Sequence, residues 1–454
     1  MSNSDFSPRD SFGSKFGIIA AAAGSAVGLG NIWKFPYVAG QNGGGAFLVV
    51  YLIFIIAIGL PVMLSEFSIG RRAQRNAIGS FKKLAPGTPW FLVGVMGVAA
   101  AFLILSFYSA VAGWTLEYIA KSLTNAFAGR DESELNIMFS SFISGSWRPL
   151  FWQLVFMFLT AWIVAAGVKK GIEKYTKVLM PLLVVMIIVL CIRSVTLPGA
   201  GEGLAFLFKP DFSRLTADAV LSALGQAFFS LSLGMGTLIT YGSYVSRQDN
   251  LAGTVVQVSA ADTVIAIMAG VAIFPAVFAF GIDPGEGPGL VFITLPSIFQ
   301  QMPGGYFFAL IFFVLLAVAA LTSSISVLEV VVAYFVEELK LTRRKATVFA
   351  ALMISVLGVL CTLSFGMMSE VRIFGMIFFD IMDFTASNLL LPLGGFFIVM
   401  FVGWYLGSGP ARREISNEGN LKAVCFPVFI FLVRFVAPVA ITIVFIYGLG
   451  LIRF

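Results

Sequence analysis

The stretch GSAVGLGNIWKFP, Gly24 to Pro36, decides how this chain is read. It lies inside an apolar run that begins at Phe16. Lipid offers no water to satisfy stray backbone groups, so three glycines, an asparagine and a proline at that depth need a reason. Three readings compete: a nucleotide loop, a helix-packing face, and a deliberate break whose freed backbone atoms hold a ligand. A dinucleotide fingerprint needs a preceding strand and a glycine where Trp33 stands, so that reading fails. Gly24-x-x-x-Gly28 alone would serve as a packing face of small residues. A second stretch, SLSLGMGT at 230–237, shifts the balance toward the break, because it repeats the Gly-x-Gly in another long apolar segment. Packing and unwinding can coexist.

Composition sets the frame. Of 454 residues, 59% are hydrophobic and only 11% charged, against about 25% charged in soluble proteins. Most of the chain must face lipid or other apolar helices, so the lipid bilayer is its first partner. The net charge of +6 does not signal nucleic acid, because the positive residues fall in short loops rather than one patch. There is no histidine, which removes the commonest catalytic base and metal ligand. Asp262, Glu66 and Glu329 lie in apolar segments without an activated nucleophile beside them, so an enzyme is disfavoured. Cys191, Cys361 and Cys425 are far apart in apolar surroundings and are expected to be small buried core residues rather than a disulfide framework.

Eleven apolar segments are long enough to span a membrane: 16–39, 44–70, 90–124, 150–168, 174–197, 216–246, 254–281, 304–338, 345–366, 372–406 and 423–452. The punctuated stretch at about 283–303 is expected to form a helical hairpin over one mouth. Residues 1–15 are polar and read as a cytoplasmic tail, not a cleavable signal. Loops after the even-numbered segments hold most of the lysines and arginines, as in RRAQRNAIGSFKK and KLTRRK. The expected N-terminus is therefore inside and the C-terminus outside.

The two Gly-x-Gly stretches open segments one and six. An odd number of crossings separates them, so the second copy runs the opposite way through the membrane. Interrupted spans at matching places in two inverted halves point to a transporter's substrate site. The expected architecture is an all-α polytopic membrane protein with a 5+5 inverted repeat, discontinuous helices 1 and 6, and an eleventh helix. The repeats would cover 16–197 and 198–406, with a loop and helix 11 at 407–454. Unwinding frees N–H groups suited to a carboxylate and carbonyls suited to a hard cation.

These stretches, with QNGGGAF, LPVMLSEFSIGR, GWTLEY, QAFFSLSLGMGTLITYGSYV, ALTSSIS and DIMDF, resemble the neurotransmitter:sodium symporter family, in its bacterial amino-acid branch. The resemblance covers nearly the whole chain. It implies a substrate site at Ala26, Leu29, Gly30, Ile104, Tyr108, Phe229, Ser230, Ser232, Met235, Ser323 and Val327. It implies one sodium at Ala26, Asn31, Ser230 and Asp262, completed by the substrate carboxylate, and a second at Gly24, Val27, Ala319, Thr322 and Ser323. Thr322 and Ser323 could instead bond back to their own helix.

The resemblance also implies gates. Outside, Lys34 would pair with Asp383, with Asp380 nearby, and Tyr108 and Phe229 would form a lid. Inside, Arg9 would pair with Glu337, flanked by Phe12, Ser243 and Tyr244. Gly171 and Pro181 match the family's Gly-x9-Pro motif, at which the cytoplasmic end of helix 5 would unwind. Glu66 and Glu329 are expected to bond the unwound backbone.

Substrate follows from two departures. Gly28 stands where monoamine carriers of the family have an aspartate, so a substrate that brings its own carboxylate fits better. Asp262 supplies a fixed negative charge, while Ala266 stands at the serine of chloride-dependent members, so no chloride is required. A methionine at 235 adapts to bulky shapes. The expectation is sodium-coupled symport, with two ions, of hydrophobic or aromatic L-amino acids in a prokaryotic plasma membrane. A symporter for another small amino acid, or a sodium-dependent receptor or channel, is the alternative. Oligomeric state is not legible.

Overall fold

The computed structural model describes residues 10–282 and 289–451, and every regular element among them is a helix. The apolar segments become helices, whole or broken, within six residues of their expected ends. The first is α1, broken into α1a (Lys15–Ala26) and α1b (Gly30–Gln41), which meet at 51°. Then follow α2 (Gly45–Ala73), α3 (Phe91–Leu123), α4 (Trp147–Ala165) and α5 (Val168–Val195). The sixth is broken again, into α6a (Ala217–Ser230) and α6b (Thr237–Gly242). The chain continues through α7 (Leu251–Ala279), α8 (Gly305–Glu337), α9 (Arg343–Leu363), α10 (Phe378–Leu406) and α11 (Phe426–Gly448). This is the 5+5 arrangement with an eleventh helix.

Helix starts follow local chemistry. Ser14 accepts the Gly17 N–H at α1a, Thr216 the Ala219 N–H at α6a, and Asn250 the Gly253 N–H at α7, each satisfying an orphan donor of a first turn. At 1.5 Å per residue, the 33-residue α3 and α8 reach about 50 Å, more than the ~30 Å hydrocarbon core, so their ends project or tilt.

Packing places the breaks in the middle. α1a lies against α5, α7 and α8; α6a and α6b lie against α2; α3 runs along α8. Lipid-type residues such as Trp162, Val185, Val356 and Val439 stand exposed on α4, α5, α9 and α11. The central helices therefore have apolar neighbours on one side and each other's polar breaks on the other.

Two regions gain detail and one expectation changes. The described part of the 283–303 hairpin is a single apolar helix, Leu290–Gln301, and residues 283–288 lie outside the described residues. Its Phe292 is buried against Trp33, Trp114, Tyr118, Phe139 and Phe313, so aromatic packing holds the helix against the bundle. Gly171 sits in a π-helical turn (Val168–Glu173) and Pro181 in continuous helix, so helix 5 is wound in this conformation. The three cysteines are free, but only Cys361 is buried, and Cys425 is exposed ahead of α11.

Candidate functional site

The first break is small. Val27 takes an extended conformation (φ −73°, ψ 103°), which ends α1a. The Gly28 N–H then bonds Asn31 Oδ1 at 3.1 Å, and the Leu29 N–H donates to the Tyr108 hydroxyl at 3.0 Å. The second break is wider. Ser232, Gly234 and Gly236 all have positive φ, and the Gly234 N–H donates to Glu66 Oε1 at 2.7 Å. A side chain at Gly234 would run into the Leu391 carbonyl, so glycine is required by both conformation and space.

The breaks are stitched together. Ser232 Oγ donates to the Ser25 carbonyl at 3.0 Å, and Gln226 Nε2 to the Gly30 carbonyl at 3.1 Å. Asn31 Nδ2 bonds Ser230 Oγ at 3.0 Å and Asp262 Oδ1 at 2.7 Å, and Ser230 Oγ donates to Asp262 Oδ2 at 2.8 Å. Asp262 is fully buried. Three of the four residues expected at the first sodium position thus form one oxygen-rich cluster. Tyr51, whose hydroxyl reaches Ser230 Oγ at 3.3 Å, was not anticipated; it sits in an ordinary apolar segment.

At the second position, Gly24 faces Thr322: a Cβ there would lie 3.2 Å from Thr322 Cβ. The Thr322 hydroxyl is bonded back to the Val318 and Ala319 carbonyls at 3.1 and 3.0 Å. Its hydrogen is spent on the helix, and its lone pairs remain.

A small cavity of about 20 Å³ lies between the breaks. Of the residues expected to hold substrate, Ala26, Gly30, Ile104, Tyr108, Phe229, Ser230, Ser232, Met235, Ser323 and Val327 all line it. Leu29 does not; Gly28 lines it instead, and Leu29 faces an outer cavity. That outer cavity is about 340 Å³ and is lined by Trp33, Lys34, Phe107, Phe379, Asp380 and Asp383 among others. Gly30, Tyr108 and Phe229 border both.

The expected outer ion pair is not formed. Lys34 Nζ sits 4.4 Å from the centroid of the Phe229 ring, and Asp383 accepts from Ser387 Oγ at 2.7 Å. Among the described residues Lys34 makes no ion pair with Asp383 or Asp380. A cation over an aromatic face is attractive without a carboxylate.

Of the expected inner gate, Phe12, Ser243, Tyr244 and Glu337 are among the described residues. Phe12 packs edge-on against Tyr241 and Tyr244. Glu337 accepts from the Asn76 backbone and side chain at 2.9 and 3.0 Å, while Arg9 lies outside the described residues. Glu66 does bond the unwound backbone, as expected. Glu329 does not: it accepts from Tyr244 at 2.6 Å and pairs with Arg343 at 2.5 Å. Arg343 also reaches Asp10 at 3.5 Å and the Val164 carbonyl at 2.9 Å. In the sequence Arg343 was one charge in a basic loop, and only folding brings it to a buried acid.

The chain is similar to known proteins over nearly its whole length. The model of the sodium:neurotransmitter symporter family matches residues 9–141 and 134–453. An uncharacterized sodium-dependent transporter of Bacillus subtilis, YhdH, is 45% identical, over 97% of this chain and 98% of its own. An uncharacterized sodium-dependent transporter of Methanocaldococcus jannaschii, MJ1319, is 32% identical, over 96% and 89%. The crystal structure of MhsT in complex with L-phenylalanine superposes with a TM-score of 0.89 at 52% identity, covering 97% of this chain and all of that one.

Proposed function

As this chain belongs to the sodium:neurotransmitter symporter family, a family of sodium-coupled transporters and not of enzymes, we propose that it carries hydrophobic or aromatic L-amino acids by alternating access, coupled to two sodium ions and independent of chloride. The observation that carries the reading is the central cavity, bounded by both backbone breaks, Tyr108, Met235 and Val327.

The chemistry runs from the donors. The amide hydrogens around Leu29 and Gly30 and the Tyr108 hydroxyl suit a carboxylate. The carbonyls left at the ends of α1a and α6a, with Ser232, suit an ammonium. Ile104, Met235 and Val327 would surround an apolar side chain, and the 52% identical MhsT was crystallised with L-phenylalanine. Asn31, Ser230 and Asp262, with the Ala26 carbonyl, offer hard oxygen ligands to one sodium. The Gly24, Val27 and Ala319 carbonyls with the Thr322 and Ser323 hydroxyls offer the same to a second. Asp262 already provides the negative charge that an anion would otherwise bring. Ala266, buried one turn on, carries no hydroxyl to hold chloride.

Tyr108 and Phe229 are the lid, Lys34 over Phe229 is the outer latch, and the Glu329–Arg343–Tyr244 network with Phe12 is the inner one. Residues 16–197 and 198–406 are assigned as the two repeats. The N-terminus is assigned to the inside of a prokaryotic plasma membrane on the distribution of basic loops.

The test is uptake of labelled phenylalanine and leucine into liposomes under an inward sodium gradient, with chloride replaced by gluconate. Accumulation above equilibrium that survives chloride removal is the expected result. Accumulation lost without chloride would overturn chloride independence, and binding without accumulation would overturn symport of these substrates.

A further inference from the structure

A second cavity, about 590 Å³, opens where the end of α3, the short helix Glu132–Ile143 and the start of α4 meet. It shares no residue with the central pocket. Its wall carries three cations, Lys121, Arg130 and Arg148, and two acids, Glu117 and Glu134. Glu117 is fully buried. One of its oxygens is already used, accepting from Arg148 Nε at 2.9 Å and Trp152 Nε1 at 2.6 Å. The other is buried with no hydrogen-bond partner, and the Lys121 ammonium stands 3.7 Å from it, beyond hydrogen-bond reach.

Lys121 is the telling residue. It is 9% exposed, and its ammonium lies near the Tyr118 and Phe142 rings, with centroids at 5.4 and 5.5 Å. Among the described residues its ionic partner is Glu117, one turn back at 3.7 Å, and the Arg130 guanidinium makes no ion pair. An ammonium carries three donors, and a single carboxylate oxygen at 3.7 Å leaves donors free for an acceptor in the cavity.

We propose that this cavity binds a phosphate group, presented by a phospholipid headgroup or by a soluble phosphate. A phosphate offers several strong acceptor oxygens at once, and charge-assisted bonds to Lys and Arg are its usual recognition. The volume lies in the range of ligand sites, roughly 300–1,000 Å³.

The surroundings favour the lipid. α3 is the third crossing, so its C-terminal end lies on the membrane face opposite the N-terminal tail. Beside the cavity Trp147 is 85% exposed, with Phe151 and Ile137 also exposed, as expected of side chains at headgroup level.

The experiment uses the full purified chain in detergent, titrated with phosphatidylglycerol, glycerol 3-phosphate or inorganic phosphate, and read by native mass spectrometry. The wild type is expected to retain phosphatidylglycerol. Lys121→Gln and Arg130→Gln are each expected to weaken binding about tenfold, the loss of one charged hydrogen bond, and Lys121→Arg to restore it. Binding of the soluble phosphates at the same concentration would assign a soluble source; binding of the lipid alone would assign the headgroup. The proposal is overturned if the wild type retains none of the three. It is equally overturned if both Gln variants, still folded by their sodium-dependent phenylalanine binding, retain lipid as the wild type does.

Discussion

At the scale of single residues, Gly28 carries the substrate argument. A Cβ there would lie 2.9 Å from the Tyr108 hydroxyl and 3.1 Å from Ser323 Cβ. Gly28→Asp is therefore expected to abolish phenylalanine binding, measured by scintillation proximity, while the protein remains monodisperse; retained binding would remove the steric reading of this position. Asp262 carries the ion argument. Asp262→Ser takes the charge from the Asn31–Ser230 cluster, and uptake in chloride-free buffer should fall about a hundredfold, as for roughly 3 kcal/mol of lost partnership. Added chloride should recover part of it. A variant indifferent to chloride in both directions would detach Asp262 from anion replacement.

At the scale of elements, the molecule joins rigid spans to two broken ones. α3 and α8 are unbroken and pack along each other, while α1a and α6b are short arms tied by side-chain contacts. Glu329 ties α8 to α6b through Tyr244 and to the start of α9 through Arg343. Removing one partner of a buried pair costs about 3–5 kcal/mol. Glu329→Gln should accordingly loosen the inner side. In that background a Ser243→Cys thiol, buried in this conformation, should react with maleimide several-fold faster. An unchanged rate would show that Phe12 and its tyrosine neighbours hold the inner side closed alone. Elements were read well from the sequence because membrane crossing demands long apolar runs with water-facing caps. The packing of the Leu290–Gln301 helix was not legible, because an aromatic docking site built from four other segments has no local signature.

At the scale of the whole molecule, the proposed inside N-terminus rests on basic loops gathered on one side of eleven spans. Cys425, exposed in the loop ahead of α11, shares the side of the N-terminal tail, since ten crossings separate them. A membrane-impermeant maleimide should label it in inverted vesicles and spare it in right-side-out ones. The reverse pattern would invert the topology. Cys191 and Cys361 lie within spans and should stay unlabelled in both.

The sequence by itself determined the number of spans, the inverted relation of α1 and α6, and the residue types at the two breaks. These follow from composition along one chain: apolar length, Gly-x-Gly at mid-span, and an acid that lipid would not tolerate without a purpose. Only the tertiary structure decided the partners. Whether Lys34 meets a carboxylate or the Phe229 ring, whether Glu329 bonds backbone or Arg343, and whether Lys121 shares a cavity with Arg148 all depend on distances between segments far apart in sequence. Such distances are set when helices pack, and no local pattern encodes them.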